Sequence, residues 1–114
     1  MATFRKTKFY TMRRNEKGVP CAVKIDGYTD GVFNYYKIIN KYSDIASWFV
    51  INPDSGLSIC GMLSSRIKAR DEAYKNIDAI NEYKQTSRYE KDKLKFYNEK
   101  IKAGAYVFLN NTEE

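Results

Sequence analysis

The sequence predicts an α+β fold: a mainly antiparallel β-meander of four or five strands over residues 3–61, followed by two helices or one long helix over about 65–103 and a short apolar C-terminal segment. Three observations point there. The first half alternates β-branched and aromatic runs with turns built from Gly, Asn, Asp and Pro. From Ser64 onward the apolar spacing becomes helical. Strand signals come first and helix signals second, which favours a meander capped by helices.

Residues 3–13 (TFRKTKFYTMR) carry the Thr, Phe and Tyr density of a strand. Asn15-Glu16-Lys17-Gly18 closes a hairpin, with Gly18 placed for a positive φ. Residues 19–26 return, and Pro20 suits a strand start. Tyr28-Thr29-Asp30-Gly31 is a second turn. Residues 32–42 read as a strand by composition, although Val32, Tyr36 and Ile39 would also share a helix face. Residues 47–51 and 57–60 form a hairpin around Asn52-Pro53-Asp54-Ser55-Gly56, where Pro53 pre-sets φ and Gly56 accepts a left-handed conformation.

Ser64 or Ser65 caps the helical half, in which Ile67, Ala73, Ile77, Ile80 and Tyr83 recur at helical spacing. The pattern falters at Gln85-Thr86-Ser87. Ser87 and Glu90 have capping-box spacing, and Leu94, Tyr97 and Ile101 form the apolar stripe of a second helix that ends at Lys102-Ala103-Gly104. Ala105-Tyr106-Val107-Phe108-Leu109 is apolar enough to add a strand or to cover the core. The 114 residues, 43% of them apolar, fit a single domain spanning 1–114.

Composition narrows the function classes. With no histidine, the chain lacks the commonest general base and metal ligand, and with it both Ser–His and Cys–His nucleophile pairs. No Gly-rich phosphate loop and no calcium-loop spacing occurs, and Asp26, Asp30, Asp44 and Asp54 all fall in or beside turns, where Asp bonds its own backbone. Cys21 and Cys60 read as buried small hydrophobes. The expectation is a non-enzyme without cofactor or metal. No run of 18 apolar residues occurs, and the opening MATFRKTKFYTMRR has no secretory pattern, which predicts no membrane partner and a cytoplasmic location, the host's if the chain is phage-encoded.

Charge is the most informative property. The net charge is +6, and the whole excess lies in residues 1–24, where Arg5, Lys6, Lys8, Arg13, Arg14, Lys17 and Lys24 face only Glu16. The thirteen cations and thirteen acids beyond residue 24 cancel. A localised basic patch attracts polyanions or an acidic protein face; lysines on an edge strand also discourage edge-to-edge association. Aromatics, at 15%, mingle with the cations at Phe4–Tyr10 and at Tyr35–Tyr42. Rings beside cations suit stacking on bases while phosphates are neutralised. The alternative is a half-buried edge strand.

The run Trp48-x-Val50, a turn with Gly56, Ile59, Gly61 and a capped helix bearing Ala69 and Ala73 resembles the three-strand-plus-helix unit in the arm-binding domains of tyrosine recombinases. The resemblance covers about residues 48–73 and departs at the helix entry, which reads Ser64-Ser65-Arg66-Ile67-Lys68 where that family has Thr-Lys-x-Glu-Ala. It implies a sheet face laid in the DNA major groove.

The leading expectation is a non-catalytic phage- or plasmid-type protein that contacts DNA or RNA, or a nucleoprotein, through its basic N-terminal hairpin. The contacts would come from Arg5, Lys6, Lys8, Arg13, Arg14 and Lys17, with Phe9 and Tyr10 stacking or packing. Two alternatives stand beside it. One is a phage-encoded, anti-CRISPR-like inhibitor that binds a host defence nuclease or another host nucleic-acid-binding protein. The other is a virion or scaffold protein.

Overall fold

The computed structural model describes residues 3–104. Its elements run β1 (Arg5–Arg14), β2 (Pro20–Thr29), β3 (Asn34–Ile39), β4 (Ala46–Ile51), β5 (Ser58–Leu63), α1 (Arg66–Lys75), α2 (Ile77–Tyr83) and α3 (Ser87–Lys102). The strands form one antiparallel sheet in chain order. This is the predicted α+β arrangement with all five strands present. The apolar segment at 105–109 lies outside the described residues.

Each hairpin follows from its turn. Asn15 accepts hydrogen bonds on Oδ1 from the Lys17 and Val19 amides, and Gly18 takes φ +76°. This fixes the register of the long β1–β2 hairpin from Arg5↔Thr29 to Arg14↔Pro20. β3 is shorter than the predicted 32–42. The Asn40 carbonyl receives the Ser43 and Asp44 amides, and Asp44 adopts φ +57°, so the chain turns there. β5 runs past the predicted end at residue 60 to Leu63, with register shifts in its pairing with β4.

The sheet curls. The amide of Met12, on the outer strand β1, donates to the Gly56 carbonyl in the β4–β5 turn at 2.9 Å, and the buried Thr11 hydroxyl donates to the same oxygen at 3.0 Å. One face then encloses a small cluster of Phe9, Tyr36 and Ile51, flanked by Ile25 and Phe49. The other face packs Phe33, Tyr35 and Val50 against Ala69 and Ala73 of α1 and Ile80 of α2. Two alanines at this contact let the helix approach closely, and both are fully buried.

The helical half divides into three helices rather than one or two. Asn76 ends α1, because its side-chain amide bonds back to the Glu72 carbonyl and competes with continuation of the helix. The stripe Leu94, Tyr97 and Ile101 faces outward, with Leu94 61% exposed, whereas Tyr89 and Phe96 are buried. Periodicity identified a helix but chose the wrong side. Phe96 docks on Gly56, where a glycine leaves room for its ring.

The cap of α3 is also displaced by one residue. Thr86, not Ser87, occupies the N-cap, and its hydroxyl accepts the Tyr89 amide at 3.2 Å. Thr86→Ala is therefore expected to cost about 1 kcal/mol in urea unfolding. Ser87→Ala should stay within about 0.5 kcal/mol. The opposite order would restore the cap to Ser87.

Candidate nucleic-acid interface

The site begins where two strands part. The β2–β3 ladder holds only Tyr28↔Tyr35 and Thr29↔Asn34. The next two register positions would set Gly27 opposite Tyr36 and Asp26 opposite Lys37, but the pairing stops. Gly27 stands at this fork: a Cβ there would collide with the Tyr35 carbonyl oxygen and lie 2.7 Å from the Phe9 ring. The backbones touch at that point, and Phe9 wedges the inner side open against Tyr36, 6.4 Å away between ring centroids.

A cleft of about 530 Å³ results, with Lys6, Lys8, Asp26, Tyr28, Lys37 and Trp48 in its lining. The register explains the membership. Lys6 pairs with Tyr28, Lys8 with Asp26 and Lys37 with Trp48, and cross-strand partners share a face. Asp26 lies 3.7 Å from Lys8, with both side chains at least 69% exposed. Such a pair is screened and holds Lys8 only weakly.

Trp48 is the chain's single tryptophan. Lys37 Nζ sits over its ring at 5.8 Å from the centroid, and the Arg66 guanidinium lies at the same distance. Arg66, from the first turn of α1, also covers Tyr28 at 4.0 Å and Phe4 at 4.5 Å. The floor is thus aromatic and the rim cationic.

The residues predicted to form one basic surface are divided among several places. Lys6 and Lys8 enter the cleft. Tyr10 lies on their side of β1, half-buried opposite Lys24. Phe9 is 9% exposed and belongs to the inner cluster, so it packs and cannot stack on a ligand. Arg5 and Arg13 alternate to the other side of the strand. Arg13 is close enough to Tyr36 for its charge to oppose the rise that burial imposes on that phenol's pKa. Arg14 donates to the Gly18 carbonyl at 2.8 Å. Arg13 and Arg14 also line a second groove of about 430 Å³ beside Arg88, Asp92 and Lys95 of α3. Lys17 is exposed in the turn.

Sequence reasoning missed Trp48 and Tyr28, which line the cleft, and Arg66, which contacts both rings from α1 beside it. The Tyr35-Tyr36-Lys37 cluster did signal a cation among rings. Neither sheet face is a bare platform of the kind the recombinase resemblance implies, because α1 covers much of one and the curl encloses the other. Comparison with known protein families, with curated proteins and with solved structures finds no match to this chain. Among the described residues, no three Cys, Asp or Glu side chains gather to hold a metal ion, and no helix is long and apolar enough to cross a membrane.

Proposed function

We propose that this protein is a non-catalytic nucleic-acid-binding protein whose β1–β2 hairpin and adjoining cleft contact the phosphate backbone. One observation carries the reading. Strand alternation and register set Lys6, Lys8, Lys24 and Arg14 on a single face of the hairpin. That line extends over about 26 Å, eight residue steps of a strand. Asp26 is the one acidic side chain in it. A linear cationic track next to an aromatic cleft matches a repeating anionic polymer better than a compact anion.

Binding is expected to weaken steeply with salt. Four neutralised phosphates correspond to a log–log slope of about −3. The double variant Lys6→Ala/Lys8→Ala should reduce that slope by about 1.5, because each phosphate contact contributes about 0.7–0.9. Both side chains are exposed, so the fold should be retained. Fluorescence anisotropy with a labelled oligonucleotide at several salt concentrations checks this. A slope that the double variant leaves unchanged would remove the hairpin from the interface.

A protein-binding role is favoured by a separate observation. The tip of the β3–β4 hairpin exposes Ile39, Tyr42 and Ile45 together, with Tyr42 92% accessible. Clustered exposed apolar residues mark contact surfaces. An inhibitor or adaptor would use this tip, and a complex with its target would survive high salt.

A further inference from the structure

We infer that the cleft takes a single-stranded nucleic acid, one base of which stacks on Trp48 in the place held by the Lys37 ammonium, with Lys37 and Arg66 receiving the flanking phosphates. This deepens the nucleic-acid reading and rests on it. The Arg66 guanidinium, beside the cleft, contacts the rings of Phe4, Tyr28 and Trp48, the last two of which line it. Its Nε is buried without a hydrogen-bond partner, and among the described residues no carboxylate lies within 4.0 Å of it. A partly desolvated cation with no acid beside it can accept an external anion.

Trp48 supplies the second element. Its ring has both Lys37 and Arg66 over it, each 5.8 Å from its centroid. Lys37 is an exposed, flexible side chain, so a base can displace it from the ring face while its charge moves to a phosphate. A cleft of about 530 Å³ has the size of a small-ligand pocket. Duplex bases are stacked and paired, and so cannot reach a ring on the floor of such a cleft. Unpaired bases can be splayed onto aromatic side chains. An acidic peptide would satisfy the cations but has no base for Trp48.

The test follows Trp48 emission while the full chain is titrated at low salt with an oligothymidylate, a DNA duplex of equal length, and polyglutamate. The single strand is expected to quench the emission and to bind about tenfold or more tighter than the duplex. Lys37→Ala, at an exposed position, should weaken the single strand several-fold and preserve the quench. Duplex binding as tight as the single strand's, or single-strand binding that leaves the emission unchanged, would overturn the stacking assignment and leave the backbone-contact reading standing. Polyglutamate that quenches as strongly as the oligonucleotide would give the cleft to an acidic protein segment. If no nucleic acid binds, both readings fall.

Discussion

Gly56→Ala is expected to lower stability by about 2–5 kcal/mol, seen as a marked drop in the urea midpoint. Two independent costs add. Gly56 holds φ +69° in the β4–β5 turn, and a left-handed backbone costs a residue with a Cβ about 1–2 kcal/mol. The new methyl would also stand 2.5 Å from the Phe96 ring, which is itself buried. Overpacking of this kind costs about 1–3 kcal/mol. Position 56 matters beyond its own turn, because its carbonyl receives both the Met12 amide and the Thr11 hydroxyl that close the curled sheet. Gly18→Ala is the matched control: φ is +76° there, but nothing lies within 4 Å of the added atom. It should show the backbone cost alone. Equal losses for the two variants would mean that Phe96 does not pack on Gly56.

Removing the Asp30 carboxylate should cost about 4 kcal/mol in Asp30→Ala, since several buried donors lose one acceptor together. Asp30 is 5% exposed. It accepts the Val32 and Phe33 amides at 2.9 and 2.8 Å, the Tyr35 hydroxyl at 2.7 Å and the Tyr74 hydroxyl at 3.0 Å. These bonds tie the β2–β3 turn to β3 and to α1. Burial raises the pKa of Asp30, but the four hydrogen bonds outweigh it and hold the carboxyl below its ordinary value of 3.8. The sign of the pH dependence follows. The depressed folded pKa contributes stability that is complete above the ordinary carboxylate range and is lost as pH falls through the folded value. The tyrosines act oppositely. Burial and then Asp30 raise the pKa of Tyr35 and Tyr74, while burial and then Asp92 push Tyr83 up to about 12. Their contribution is complete below the ordinary tyrosine range near 10 and is lost above it. Asp30→Asn should therefore approach the parent's stability on acidification below about pH 4. A stability difference that stays constant down to strong acid would contradict the assignment.

The fold was largely legible because its turns are written in residues with one physical use. Gly18, Asn52 and Gly56 mark hairpins in any context, and the strands between them had nowhere else to go. Asp30 was legible as a turn residue. Its reach to Tyr74, forty-four positions away, was not, because it depends on where α1 lands. Helix faces failed for a related reason. Leu94, Tyr97 and Ile101 form a regular stripe, yet α3 docks through Phe96 because the partner surface offers a glycine there. The site was half-legible: Lys6 and Lys8 were named from charge alone. Phe9, offered as either a stacking or a packing ring, packs; strand alternation gives two faces without saying which one the curl will enclose. Arg66 was hidden in the charge-balanced chain beyond residue 24, and only packing brings it to Trp48.

The most direct measurement of where nucleic acid touches this protein is an amide and indole NMR titration of the full chain with a short single-stranded oligonucleotide at low salt. Perturbations are expected to gather on Lys6, Lys8, Lys24, Tyr28 and Lys37, with the Trp48 indole N–H among the largest. Shifts confined to Arg13, Arg88, Asp92 and Lys95 of the second groove or to the Ile39–Ile45 tip, or no shifts at all, would contradict the assignment of the cleft.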